Sequence, residues 1–582
     1  MSRTSVPSQA LRWVWLGLLT LAVGSRLLGL TATPLSPDES GTALSAWDVV
    51  NTGAWPATAD SPLLLTGQTL LFALLGPSEV AARLLPALAG VLLVGLPLLW
   101  RKDLGDLGAL VAAGLLLASP LNLFTARRAD GTALAVLGGA LVVTVILQTL
   151  AGPDGDTRGH EALLALGLML GLTGGPPFYD VAIAGCAACW VIRRAAPSGK
   201  IVLRWKGALL IGIALSLLVS VAFGLRWSGW AGIADGAAAW WAEWLSPAER
   251  STNPLGLLLL YEPLLLLSAA TGLVLLVNQH TADRHLLPRA FALWAVGAAL
   301  LVTLRPGSAP EALSAIILPL ALLGGFAADR LWSHLPPESL RWLGLHVLTS
   351  ALFWAPGLLA LAQYANNSAF NNQIAIIILG MVVLAALQVM LFLIFLMHLP
   401  SKYLWRSALL GIGVIFLFLQ LSFGAGLAFV RSDSAIEPAI RVAGSRDLHH
   451  LSQAAQEIAV TRDERADSLD IILIDQDPDL TALIRWALRD FDSLRVATGW
   501  PTDSAALVIS PGTDAMPIPD TPEAWQGVRF VAMTRAAAPA PACLQLVPLD
   551  CQDAVSWYLY RHSPVLPAAT YAILWQAATQ TD

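Results

Sequence analysis

Long apolar runs alternate with short polar loops from the start of this chain to about residue 430, and then the pattern stops. Runs near the roughly 20 residues needed to cross a bilayer fall at 11–30, 84–100, 107–124, 133–150, 162–177, 180–195 and 207–225. They continue at 255–277, 289–304, 311–328, 342–363, 373–397 and 406–430. The pattern therefore predicts a polytopic α-helical membrane protein with about 13 transmembrane helices. One more apolar run, Pro62 to Leu75, is too short to cross and is expected to lie at the interface or to re-enter. Beyond Val430, charged residues appear in quantity, and short β-like runs (469–474, 505–509 and 528–532) alternate with a helix-like run at 480–491. That order predicts a soluble α/β domain over 431–582, following a membrane domain over 1–430.

Composition agrees with a chain mostly in lipid. Hydrophobic residues make up 56% and charged residues only 13% of the 582, against roughly 25% charged in soluble domains. The net charge of −6 leaves no basic excess, and no nucleic-acid partner is expected. Leu11 to Leu30 reads as a retained first span, because no small-residue cleavage site follows it. Cys186 and Cys189 form a CxxC inside an apolar run and read as small packing residues, whereas Cys543 and Cys551 could pair if the tail is extracytoplasmic.

Positive charge sets the orientation. With the N-terminus inside, the cytoplasmic loops carry Arg101, Lys102, Arg193, Arg194, Lys200, Arg204 and Lys206, then Arg284, Arg289, Arg330, Arg341, Lys402 and Arg406. The outer loops hold few: Arg127, Arg128, Arg226, Arg250 and Arg305. A plasma (inner) membrane protein is expected, its N-terminus cytoplasmic and its C-terminal domain extracytoplasmic.

Four outward-facing features carry candidate chemistry. Between Thr31 and Ala82 there is no Lys or Arg, yet Asp38 and Glu39 stand together just past the first span. Such a pair can act as a general base or hold a divalent cation; an ordinary solvated loop is the competing reading. In Gly76–Pro86, Glu79 and Arg83 are spaced i, i+4 and read as a helix-end ion pair or a functional one. Ala126-Arg-Arg-Ala-Asp-Gly131 sets Arg127 and Arg128, expected exposed at a helix end, beside Asp130. Guanidinium forks suit a phosphate. Arg305, in Leu304–Glu311, and Arg26 are further positive residues on the outer side.

The order of these segments resembles a known family. A first span ends near Arg-Leu-x-Gly-Leu and is followed by Pro-Leu-Ser-x-Asp-Glu. Next come Leu-Leu-Gly-x-Ser-Glu-x-x-Ala-Arg-Leu-Leu-Pro-Ala-Leu and Ala-Ser-Pro-x-x-x-x-x-Ala-Arg-x-x-x-Asp, with Ile316–Gly325 a weaker echo. The set resembles GT-C glycosyltransferases of the protein O-mannosyltransferase and aminoarabinose-transferase type, chiefly over the first 150 residues. The resemblance implies transfer of a sugar from a polyprenyl-phosphate carrier to a protein or lipid hydroxyl at the extracytoplasmic face. It implies that Asp38 matches the acidic catalytic residue, as base or metal ligand, and Glu39 its partner. It also implies that Arg127, Arg128 and Asp130 lie near the donor phosphate, with Arg83 and Arg305 as further candidates. The chain departs from that family at Leu172–Tyr179, which lacks the lysine of a Thr-Lys-Gly/Glu element.

The expected reaction is a single, inverting displacement. Two other classes stay open on sequence: a transporter or flippase for lipid-linked saccharides, and a non-enzymatic scaffold. The span interiors are almost uncharged and show no internal repeat, which disfavours transport.

Overall fold

The computed structural model describes residues 8–577 except 152–156, 196–204, 247–252, 279–285, 333–340, 343, 351, 353–356, 358–370, 398–400, 462–468, 476, 501–506, 513–524, 537–550 and 562–566. The cysteine at 543 lies outside the described residues, so no pairing with Cys551 is described; Cys186 and Cys189 are free thiols.

The first half of the helical body runs α1 (Ser8–Leu27), α2 (Pro37–Thr52), α3 (Pro62–Leu75), α4 (Glu79–Gly95), α5 (Arg101–Ala118), α6 (Pro120–Ala126) and α7 (Thr132–Ala151). It continues with α8 (Thr157–Gly174), α9 (Pro177–Ala195), α10 (Trp205–Ser220), α11 (Gly232–Leu245), α12 (Pro254–Tyr261), α13 (Pro263–Asn278), α14 (Leu286–Leu304) and α15 (Ser314–Trp332). Helices Asn371–Leu396 and Ser401–Ala425 follow.

Six helices among the described residues are long and apolar enough to cross a membrane: Gln9–Leu27, Glu79–Ala118, Thr132–Leu150, Leu286–Leu304, Pro310–Trp332 and Leu404–Val430. The pair α12 and α13, bent by 98° at Glu262, makes a seventh if counted as one span. The expected count of 13 is thus not met, for identifiable reasons. The runs 84–100 and 107–124 fall largely on one 40-residue helical stretch, broken where Gly105 adopts φ 76°. Polar ends penalise α8, which carries Arg158 and Glu161, and α9, which carries Asp180, Arg193 and Arg194. At 16 residues, α10 is short for a crossing. The expected span 342–363 lies largely outside the described residues.

Small residues let the long helices approach closely, as lipid supplies no hydrophobic drive between them. A Cβ on Gly108 of α5 would sit 2.8 Å from the Gly325 carbonyl of α15, and one on Gly325 would sit 2.4 Å from the Gly108 carbonyl. Aromatic residues fill the wider gaps, as where Trp100 meets Phe291 edge to face at 5.1 Å.

Beyond the helices, six strands form one mixed sheet: β1 (Val442–Gly444), β2 (Ile471–Ile474), β3 (Leu494–Ala497), β4 (Leu507–Gly512), β5 (Trp525–Arg535) and β6 (Ala568–Ala577). Their order is β1-β5-β6-β4-β2-β3, parallel at β2 with β3 and with β4, and antiparallel elsewhere. Leu448, Leu451, Leu483 and Ile484 cover one face from two helices, Asp447–Thr461 and Pro478–Ala487. The second of these, hereafter the docking helix, also packs against α2. Through that contact and through β1 the sheet meets the candidate site.

Candidate active site

The site begins with a helix start. Ser36 caps α2, Pro37 takes the first helical position, and Glu39 completes a capping box: its Oε2 accepts from the Ser36 N–H at 2.8 Å while Ser36 Oγ accepts from the Glu39 N–H at 3.4 Å. Consecutive helical residues point about 100° apart, so the two acids separate at once. Glu39 turns inward and is buried; Asp38 turns outward and is exposed.

Glu39 is fully engaged. Arg83 Nε and Nη2 donate to its two oxygens at 3.0 and 3.1 Å, and the Ala129 N–H donates at 2.6 Å. Burial alone would raise its pKa, but the charges of Arg83 and Arg128 and these donors outweigh burial and hold the carboxyl at about 2. Arg83 is used up in the same way. Its Nη1 donates to the Leu30 and Thr33 carbonyls, both at 2.8 Å, and its Nη2 to the Pro34 carbonyl at 3.0 Å, so the loop into α2 wraps around one guanidinium. The expected Glu79–Arg83 pair does not form. Glu79 instead accepts the Trp486 indole N–H at 3.3 Å, because the deeper carboxylate of Glu39 offers Arg83 a two-pronged contact.

The two arginines of the 126–131 segment have separate roles. Arg127, expected exposed, is buried: it donates to the carbonyls of Ser25, Leu28 and Gly29 at 3.1, 2.7 and 2.8 Å, and lies 4.2 Å from the Phe429 ring centroid. It closes the C-terminus of α1, whose last carbonyls lack intrahelical donors. Burial, with the nearby Arg83 charge, lowers its pKa to about 10. Arg128 faces carboxylates, with Asp130 at 3.1 Å and Glu311 at 3.3 Å, and donates to Ser36 Oγ at 3.4 Å. Burial opposes its charge, but Glu311, Glu39, Asp130 and Asp38 together raise its pKa. Burial pushes the Asp130 carboxyl up to about 6 despite Arg128.

Arg305 stands apart from this cluster. Its Nη1 and Nη2 donate to Asp180 at 2.6 and 2.8 Å, and its Nε lies 2.8 Å from Glu243. Trp240 donates to the same Asp180 at 2.9 Å. Burial raises the Glu243 carboxyl to about 7 in spite of Arg305. Arg26, buried on α1, donates to the Leu116 carbonyl at 3.3 Å.

Asp38 opens onto a cavity of about 480 Å³ that it shares with Asp60, Asp130, Ser61, Thr132 and the Gly174–Pro177 turn. None of its lining residues is basic. Burial and the Asp235 charge raise the Asp60 carboxyl. A smaller cavity of about 40 Å³ is lined by Arg83, Arg127, Arg128 and β1.

No family model matches the chain, and no curated protein sequence matches it. Solved structures do. The crystal structure of ArnT from Cupriavidus metallidurans bound to undecaprenyl phosphate is 17% identical, with TM-score 0.54 over 86% of this chain and 93% of that one. The two share a fold. The apo state of the same protein matches with TM-score 0.54 and 17% identity, over 87% and 93%. The Archaeoglobus fulgidus oligosaccharyltransferase tethered to an acceptor peptide matches more loosely, at 12% identity and TM-score 0.40 over 83% of this chain and 63% of that one. The likeness to ArnT is one of fold alone.

The metal expectation can be tested on the residues themselves. Among the described residues there is no group of three or more His, Cys, Asp or Glu that could hold a metal ion. Glu39 has both oxygens committed to Arg83 and backbone N–H groups, so Asp38 and Glu39 do not make a ligand pair. Sequence reasoning missed Ser36, Asp180, Glu243, Asp60 and Glu311 as parts of this region. Only Ser36 left a signal, the Ser-x-x-Glu spacing of a capping box.

Proposed function

We propose that this chain is a membrane glycosyltransferase of the GT-C type. It moves a sugar from a polyprenyl-phosphate-linked donor to a protein or lipid hydroxyl at the extracytoplasmic face, with inversion. The observation that carries the reading is the division of labour at the start of α2: Glu39 is locked, and Asp38 is exposed on a 480 Å³ cavity. A carboxylate so placed can take the proton of an acceptor hydroxyl as its oxygen attacks the anomeric carbon. The bond to the carrier phosphate breaks on the opposite side, and the phosphate leaves with the electron pair. The ArnT structure of the same fold was solved with undecaprenyl phosphate, which supports a polyprenyl carrier here.

The cation for the leaving phosphate is Arg128 in this reading. Arg83 and Arg127 spend their donors on backbone carbonyls, and Arg305 on Asp180. Arg128 is paired with Asp130, which lines the cavity, and is held by side chains rather than backbone. An incoming phosphate would replace Glu311 or Asp130 as its partner.

Transport has one observation in its favour, the carboxylate of Glu262 at the 98° break between α12 and α13. Its oxygens are already taken: Ser119 Oγ donates at 2.5 Å, the Leu121 N–H at 3.1 Å and Gln420 Nε2 at 3.0 Å. Those contacts join three helix ends, so the group reads as a structural tie. The test is to reconstitute the purified protein in liposomes with polyprenyl-phosphate sugars and to look for free polyprenyl phosphate by mass spectrometry. Sugar that crosses the bilayer still attached to its carrier would favour transport and sink this reading.

A further inference from the structure

α2 cannot hold its own position. It has 16 residues, and Leu44 and Val49 are its only large apolar side chains fully buried. A helix in a protein draws most of its stability from packing against its neighbours, so where α2 sits depends on them. α3 is one of these and the docking helix is another.

The sheet domain grips this region at separate points. Trp486 of the docking helix is buried in a cluster with Leu35, Ala43, Leu44 and Phe72. Its ring lies 5.8 Å from Phe72, and Arg489 stacks 4.5 Å from its centroid. Its neighbour in sequence, Arg485, lies 3.4 Å from Asp48 of α2. At the other end, β1 presses on the loop before α2, where a Cβ on Gly444 would come 2.4 Å from the Leu35 carbonyl. Arg441 donates to the Ser308 carbonyl at 2.9 Å, tethering the loop that carries Glu311. The domain is itself anchored: Glu437 accepts from Arg561 at 3.1 Å and from Tyr261 of α12 at 2.5 Å.

We propose that Trp486 is a positioning residue for the reaction, clamping α2 from the sheet domain so that Asp38 faces the cavity. The C-terminal domain then completes the active site and is not an independent binding module. The kinetic consequence rests on the reading of Asp38 as base; the structural consequence does not. Trp486 is not among the residues that line the cavity, and the partners of Arg128 are Asp130, Glu311 and Ser36, so its loss should leave donor binding nearly intact. A displacement of about 1 Å at a reacting group costs about a hundredfold in rate.

The experiment uses the full chain in liposomes, with Trp486→Ala, Trp486→Phe, Gly444→Ala and, as a control in β3 far from α2, Arg495→Ala. Amide exchange over residues 37–52 should quicken by about tenfold or more in Trp486→Ala, while exchange in α7 and α15 stays at the wild-type rate. Its kcat should fall about ten- to a hundredfold, with donor KM within about twofold. Trp486→Phe, which keeps the ring against Phe72, should recover most of both. Gly444→Ala, which pushes on Leu35 instead, should repeat the kinetic signature even if Trp486→Ala fails to fold. Unchanged exchange over 37–52 would overturn the clamp. So would quickened exchange with unaltered kcat, or an effect that Arg495→Ala shares. Should the wild type transfer no lipid-linked sugar, the functional reading falls, and the exchange data still decide whether the clamp exists.

Discussion

Glu39→Gln isolates the interaction that builds the site. The substitution keeps size and shape but removes the charge facing Arg83, leaving that guanidinium buried beside a neutral amide. The amide's NH2 also replaces one acceptor oxygen, so either Arg83 Nε and the Ala129 N–H or Arg83 Nη2 and the Ser36 N–H lose their acceptor together. A carboxyl held at about 2 instead of the ordinary 4.5 stabilises the ionised fold by about 3 kcal/mol. Breaking a buried ion pair from one side costs about 3–5 kcal/mol by mutation, and the two figures agree. The sign fixes the pH window: this carboxyl is depressed on folding, so its contribution is full above about pH 4.5 and is lost as pH falls toward 2. Unfolding of the purified protein in detergent, followed by denaturant titration at pH 7, should therefore show Glu39→Gln less stable by about 3 kcal/mol. Glu39→Gln with Arg83→Met should cost less than the two single losses added together. A Glu39→Gln protein within about 0.5 kcal/mol of wild type would refute the idea that this pair holds the loop.

Other outcomes follow from the same geometry. Arg127→Ala should destabilise by about 2–4 kcal/mol, since it strips charged donors from the end of α1; a change within about 0.5 kcal/mol in the same titration would show those contacts to be incidental. Arg305→Ala should destabilise by about 3–5 kcal/mol, because it leaves Asp180 buried and unpaired, and Asp180→Asn added to it should restore part of the loss. Asp130 works in the opposite sense to Glu39: its carboxyl is raised from the ordinary 3.8 to about 6, so its contribution is present at low pH and is lost as pH rises through that range. Asp130→Asn should flatten this part of the stability–pH curve, and an unaltered curve would remove Asp130 from it. For sidedness, Val528→Cys should react with an impermeant maleimide added outside intact cells while Arg194→Cys should not; the reverse pattern would invert the topology.

Much of the architecture could be read from hydropathy, because lipid forces backbone groups into helices and leaves long apolar runs. The run Pro62–Leu75 forms a short helix as its length requires, and the β-like runs near 471, 507 and 528 do form strands. The count of crossings was less legible. Hydropathy is blind to a break such as Gly105 or the bend at Glu262, and it takes no account of how charged ends shorten α8 and α9. In the site, Arg128 lies against Asp130 and within reach of the Asp38 charge. Which arginine faces which acid could not be read, since it depends on long-range approach: Arg83 meets Glu39 across 44 positions and Arg305 meets Asp180 across 125. The i, i+4 spacing of Glu79 and Arg83 pointed to a local partner, but Arg83 meets both oxygens of a distant one. The bearing of the tail on the site was equally hidden, because Trp486 reaches Glu79 across 407 positions.

The central claim is that Asp38 acts on an acceptor while Glu39 only builds the loop. It is tested most directly by single-turnover transfer from a polyprenyl-phosphate-linked sugar, comparing wild type with Asp38→Asn in the same liposomes. Wild type should release polyprenyl phosphate, and Asp38→Asn, which keeps the shape of an exposed side chain and gives up only a through-space attraction to Arg128, should unfold like wild type yet release it at least about a hundredfold more slowly. Equal release by the two proteins would contradict the account.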